Sequence, residues 1–188
     1  MTNYILASAS PRRKQLLEWA EIKFNIIIAD TDESYPLHLS PEEIAIHIAQ
    51  QKAQAVKAKT NSDYTIIAAD TIVVLNNEII GKPQDRQDAV NILSKLSGEV
   101  HLVITGVNIA GSKDISFADI TEVEFHSLTQ NQIEFYVDKY KPYDKAGAYA
   151  IQEWIGVVGI KRITGDFYNV MGLPVSRVVQ ALSDMTNQ

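Results

Sequence analysis

The sequence predicts an α/β fold with a mixed β-sheet flanked by helices. Three observations carry that prediction. Apolar runs of β character alternate with helical patterns along the chain. Most of the helical patterns open on a side chain suited to cap them. Two long β-type runs, Val100–Ala110 and Ile115–Phe125, flank the turn string Gly111-Ser-Lys-Asp114 and read as a hairpin.

Taken in order, Tyr4–Ala7 is a short strand run. It meets Ser8-Ala-Ser10-Pro11, where Ser10 suits an N-cap and Pro11 the first helical position. The helix continues through Leu16, Leu17 and Ala20. Phe24–Ala29 is Ile-rich and reads as a strand, followed by an acidic loop with Asp30, Asp32 and Glu33. Ser40 and Glu43 form a capping box around Pro41, opening a helix to about Lys59. Tyr64–Ala69 is a strand that continues past Asp70-Thr71 into Ile72–Leu75. Asn76-Asn77 is a hairpin turn before Glu78–Ile80. Asp85 caps a helix to Leu96 that Gly98 ends, and Thr129 with Gln132 boxes a helix to Lys139. Val175–Leu182 is the last helix. Trp19, Phe24 and Phe135 are expected in the core.

Composition narrows the function. The chain has 188 residues, 46% hydrophobic and 21% charged, so it can bury a substantial core and is not a disordered chain. No repeat or Pro/Gly/Ser-rich linker divides it, and one continuous domain over 1–188 is expected. Without cysteine there is no disulfide, thiolate nucleophile or zinc–cysteine site. The net charge of −6 opposes a broad basic face for nucleic acid or an anionic membrane. Residues 1–60 are nonetheless neutral, so an anion would need locally gathered cations. No apolar run approaches a membrane span and no targeting segment is visible, so the cytoplasm is the expected location.

Four places carry chemistry. Arg12, Arg13 and Lys14 sit in a first helical turn, the wrong end for cations by the helix dipole. A bound phosphate, met by N–H groups, the Ser8 hydroxyl and guanidinium forks, accounts for them; a solvated basic face on the helix is the alternative. Asp30, Asp32, Glu33 and Asp70 follow or interrupt strands, and clustered carboxylates suit Mg²⁺ or Mn²⁺, although Asp30–Glu33 taken alone reads as a solvated loop. Asp70 is the sharpest of these, because an unpaired carboxylate inside Ile66–Leu75 is costly to bury. Gly81-Lys82-Pro83 holds a lysine as either a positioned cation or a surface turn. Lys52, mid-helix, reads from the residues alone as solvated surface. Two Gly-bearing stretches, Asp144–Gln152 and Gly165–Pro174, indicate close backbone approach or tight turns, which composition does not separate. The four histidines show no metal-ligand spacing, and His38 and His47 are expected at the surface.

Seven strings then occur in a fixed order between residue 5 and about 178. They are Ser8-x-Ser10-Pro-Arg12-Arg13, Asp32-Glu33, Ala69-Asp70-Thr71, Gly81-Lys82-Pro83, Leu96-Ser97-Gly98-x-x-His101, Asp144-Lys145-Ala-Gly-Ala-Tyr149-x-Ile-Gln152 and Asn169-Val-x-Gly-Leu-Pro174. Together they resemble the Maf family of nucleoside triphosphate pyrophosphatases. The resemblance implies a fold like that of the inosine triphosphate pyrophosphatases, with a strongly twisted sheet, two lobes and a cleft between them. It implies hydrolysis of a nucleoside triphosphate to the monophosphate and pyrophosphate with a divalent cation, Mg²⁺ or Mn²⁺. Arg12, Thr71 and Gln152 stand at the family's base-preference positions and resemble the branch acting on dTTP and UTP. The rival branch acts on 7-methyl-GTP. The family also has an association with arrest of septum formation. Two departures stand out. Glu153-Trp154 follow Gln152 where the family commonly has Gly next, and Phe167 replaces its usual Tyr.

On that resemblance, Arg12, Arg13, Lys52 and Lys82 neutralise the triphosphate and Ser8 adds a hydrogen bond. Glu33 and Asp70 hold the metal, which is Glu33's expected partner rather than any of those cations. Asp70 also positions or deprotonates the attacking water. Gln152 and Thr71 offer a donor and acceptor pair to a pyrimidine edge. Two other classes compete. A non-catalytic regulator of septum formation would not need Glu33 and Asp70, and a single-stranded nucleic-acid binder is opposed by the charge balance. The long 100–125 hairpin offers an edge for a homodimer.

Overall fold

A computed structural model describes residues 3–60 and 64–186. The chain forms β1 (Asn3–Leu6), α1 (Pro11–Trp19), β2 (Phe24–Ile26), α2 (Pro41–Lys57), β3 (Tyr64–Leu75) and β4 (Glu78–Ile80). There follow α3 (Arg86–Leu96), β5 (Val100–Ala110), β6 (Asp114–Phe125) and α4 (Gln130–Tyr140). After a 3₁₀ turn over Ala146–Ala148 come α5 (Trp154–Gly159), β7 (Ile160–Thr164), α6 (Phe167–Met171) and α7 (Val175–Thr186). One seven-stranded sheet runs β2-β1-β3-β5-β6-β7, with β4 paired to β3. β1 is parallel to β2 and β3, while β3–β4 and β6–β7 are antiparallel, so the sheet is mixed as expected.

The caps form as the sequence dictates. Ser10, Ser40, Asp85 and Thr129 each accept a hydrogen bond from the backbone N–H three residues on, and Ser40 and Thr129 complete capping boxes. Asn76 and Asn77 both take positive φ (51° and 66°), the conformation of a two-residue hairpin turn.

The strand expected to Ala29 ends at Ile26. β2 is an edge strand whose partner β1 ends at Leu6, opposite Ile26, and one last backbone bond, from the Ile27 N–H to the Leu6 carbonyl at 3.3 Å, closes the ladder. Two residues expected in the core are exposed: Trp19 at 59% and Phe135 at 43%. Helix phase explains both. α1 buries positions 13, 16 and 17, and α4 buries 133, 136 and 137, so 19 and 135 lie off the inward stripe. Phe24 is half-buried. The stretch around 144–174, undecided from composition, holds both short helices and close backbone approaches.

The chain divides into two compact units. The first comprises Met1–Thr71, Thr105–Asp119 and Gly172–Gln188. Its core packs Ile5, Ala7, Ala53, Val56, Ile66, Ala68 and Ala110 together. Each fully buried isoleucine there contributes about 1.5–3 kcal/mol. Gly106 of β5 lets α2 approach closely: a Cβ there would lie 2.2 Å from the Ala45 carbonyl carbon.

The second unit comprises Ile72–Ile104 and Ile120–Met171. α3 and α4 are joined by a two-pronged Arg86–Asp138 pair, Nε to Oδ1 at 2.6 Å and Nη2 to Oδ2 at 2.8 Å. Its core includes three edge-to-face rings, His101, Phe125 and Tyr149, with centroids 5.0–5.4 Å apart.

Candidate active site

The first unit holds Ser8, Arg12, Arg13, Glu33, Lys52, Asp70 and Thr71. β1 ends at Leu6, and the chain turns through Ser8 into the capped start of α1. Within that turn the Ser10 N–H donates to Ser8 Oγ at 3.2 Å. α2 supplies Lys52, and β3 supplies Asp70 and Thr71.

Arg13 turns inward. Its guanidinium donates from Nε to the Gly172 carbonyl (2.7 Å), from Nη1 to Ser8 Oγ (3.2 Å) and from Nη2 to Thr71 Oγ1 (3.0 Å). Thr71 Oγ1 also shares a hydrogen bond with Thr105 Oγ1 at 2.9 Å. One fork therefore fixes three segments distant in sequence. Burial holds the Arg13 pKa below its ordinary value, opposed first by the Asp70 charge. Of the three cations at the start of α1, Arg13 is thus buried and Lys14 pairs with Glu18 (3.6 Å) on the surface. Arg12 is half-buried.

Beside this network stands a second one. Lys52 Nζ lies 2.6 Å from Asp70 Oδ1 and 2.8 Å from Glu33 Oε1. The lysine and Asp70 side chains are largely buried, and Glu33 is nearly half exposed. Glu33, expected to face a metal rather than one of the chain's cations, pairs here with Lys52. Two carboxylates brought together need a counter-charge, and α2 delivers one from a position read as solvated surface. The missed signal was phase. Ile44, Ile48, Lys52 and Val56 are spaced by four, so the lysine rides on the buried stripe.

Two hard oxygens converging on one cation fit a divalent ion of the Mg²⁺ type. Such an ion takes one or two carboxylates and completes its shell with phosphate oxygens and water. A dedicated protein cage is a poorer fit, since among the described residues no three His, Asp or Glu side chains gather for a metal.

Lys82 and Gln152 belong to the second unit, and both are exposed. Gly81, before Lys82, accepts a hydrogen bond from the Gly147 N–H at 3.1 Å, so the two Gly-bearing strings touch within that unit. Phe167 begins α6 and is 40% exposed. Partners that sequence reasoning did not reach include Thr105, the Gly172 carbonyl and Tyr136. A carbonyl acceptor has no residue-type signal at all.

The described residues include no helix long and apolar enough to cross a membrane. The solved structure of the Staphylococcus aureus Ham1 protein has the same fold, with a TM-score of 0.55 at 17% identity, covering 98% of this chain and 100% of that one. A protein of Cytophaga hutchinsonii named dTTP/UTP pyrophosphatase is 54% identical over 187 residues, 99% of this chain and 85% of that one. A protein of the same name from Parabacteroides distasonis is 48% identical over 180 residues, covering 95% and 93%. A sequence profile described as Maf-like protein matches residues 3–185, and the ordered motifs, the fold and these relatives agree: the chain belongs to the Maf-like protein family.

Proposed function

We propose that this chain is a nucleoside triphosphate pyrophosphatase that hydrolyses dTTP and UTP to the monophosphate and pyrophosphate. The observation that carries this reading is the 54% identity, across 99% of the chain, to a relative bearing that name. Arg12, Thr71 and Gln152 at the base-preference positions support the same branch over one acting on 7-methyl-GTP.

The residues suit the chemistry. Water attacks the α-phosphorus in line and pyrophosphate leaves, so catalysis is mostly positioning and charge neutralisation. Asp70 is the group that orients the water and takes its proton. Lys52, 2.6 Å from Asp70, keeps that carboxylate aimed. Arg12 and Lys82 offset triphosphate charge. Arg13 holds the Ser8 and Thr71 hydroxyls in place through Nη1 and Nη2. Glu33 and Asp70 would hold a Mg²⁺ or Mn²⁺ ion, which would supply further neutralisation of the developing charge. A cytoplasmic location, a single functional domain and a homodimer complete the reading. Light scattering of the purified chain tests the dimer.

The test of function is a panel of nucleoside triphosphates, including 7-methyl-GTP, assayed for pyrophosphate release with Mg²⁺ and with Mn²⁺. Preferential turnover of dTTP and UTP is expected. Preferential turnover of 7-methyl-GTP, or none of any nucleotide, overturns the proposal.

A further inference from the structure

Gln152 is an exposed side chain on a turn that the second unit holds with unusual firmness. Tyr136 of α4 is fully buried, and its hydroxyl does two things at once. It accepts a hydrogen bond from the Ala150 N–H at 3.1 Å and donates one to Glu153 Oε2. The residues on either side of the Ile151-Gln152 pair are therefore tied to one oxygen. The turn closes on itself as well, with the Glu153 N–H donating to the Ala150 carbonyl at 3.1 Å. α5 abuts it closely: a Cβ at Gly156 would fall 1.7 Å from the Ile151 carbonyl oxygen, so only glycine fits. Lys145, buried, sits 3.7 Å from Glu153 Oε1 and gives that carboxylate a counter-charge.

We propose that Tyr136 and Glu153 are positioning residues for base discrimination, a clamp that fixes the backbone beneath Gln152 so that its amide meets the base edge in one orientation. The inference rests on the reading of Gln152 as a base-recognition residue under the proposed function. Its physical basis is preorganisation. A glutamine on a loose turn must be ordered when substrate binds, and a primary amide presents its donor and acceptor to either side unless its backbone is fixed. Glu153 stands where the family commonly has glycine, and its carboxylate adds a side-chain tie to the turn's own backbone bond. Both residues act on the turn beneath Gln152, so the effect falls on recognition and not on the chemical step.

The experiment measures kcat and KM for dTTP, UTP and GTP in wild type, Tyr136→Phe, Glu153→Ala, Glu153→Gln and Gln152→Ala. Tyr136→Phe and Glu153→Ala are expected to raise KM for dTTP and UTP about tenfold, lower the dTTP-over-GTP preference by about the same factor and leave kcat within about twofold. Glu153→Gln still accepts from the tyrosine hydroxyl and is expected to keep the preference. Should Tyr136→Phe fold poorly, Glu153→Ala carries the test alone, since that side chain is partly exposed. An unchanged preference in Glu153→Ala, or equal losses on all three nucleotides, overturns the clamp. An unchanged preference in Gln152→Ala overturns it too. If wild type itself shows no preference for dTTP and UTP, the proposed function fails first, and that result is read before any variant is made.

Discussion

Replacing Arg13 by methionine separates two roles for a cation at the start of α1. The guanidinium makes three hydrogen bonds at 2.7–3.2 Å, each charge-assisted and gross worth about 1.5–3 kcal/mol. Against that gain stands desolvation, which costs several kcal/mol for a buried cation. The lowered Arg13 pKa, with burial as its leading cause, shows that neighbours only partly offset this cost. The Ser8 and Thr71 hydroxyls keep other partners in the Ser10 N–H and Thr105. The Gly172 carbonyl loses its short 2.7 Å donor and keeps only a 3.5 Å contact from Thr71. The expected net loss is about 2–4 kcal/mol, a large share of the 5–15 kcal/mol typical of a domain. Urea denaturation reads it as a lower midpoint at unchanged slope. Arg13→Lys keeps the charge but not the fork and is expected to lose stability as well. If Arg13→Met unfolds within about 0.5 kcal/mol of wild type while turnover disappears, the guanidinium acts on substrate and its scaffold role is wrong.

Three other outcomes are expected. Asp70→Asn should abolish turnover while triphosphate binding survives; more than about a tenth of wild-type kcat, ~1.4 kcal/mol of barrier, excludes Asp70 as the base. His101 is buried against Tyr149, and burial holds its pKa down at about 4 from an ordinary 6.5. Below pH 6.5 the unfolded chain binds a proton that the folded one refuses, so stability falls as pH drops towards about 4, by about 3 kcal/mol in all. His101→Gln should flatten that fall, and an unaltered acid profile of melting temperature contradicts the assignment. Gly106→Ala drives a Cβ to 2.2 Å from Ala45 backbone and should cost more than about 3 kcal/mol; a thermal midpoint near wild type means β5 and α2 are not packed so tightly.

What was legible in the sequence depended on local chemistry. Caps at Ser10, Ser40, Asp85 and Thr129 were readable because the signal lies within four residues of its effect. The hairpin at Asn76-Asn77 was readable for the same reason. Asp70 stood out because a carboxylate in an apolar strand demands a partner. The identity of that partner, Lys52, needed helix phase to be weighed above the usual exposure of lysine. The first turn of α1 is an anion site in general, so the sequence presents Arg13 as a phosphate ligand. Its inward orientation depends on Gly172, 159 residues away, which no local pattern encodes. Trp19 and Phe135 went wrong by the converse error, in which residue type was allowed to outrank helical position.

The division of the chain into interleaved units bears on how the protein is made. The first unit needs Gly172–Gln188 as well as the opening 71 residues, so its carboxylate–lysine cluster is synthesised long before its last helix. α7 buries Val178 and Leu182, and Gly172 just ahead of it supplies the acceptor for Arg13. A nascent chain stalled before residue 172 therefore carries Ser8, Arg13 and Thr71 with one strut missing. Contacts of such long sequence separation form late and fold slowly. Removal of a short C-terminal segment should thus damage the amino-terminal turn first, although no residue of that turn has been altered.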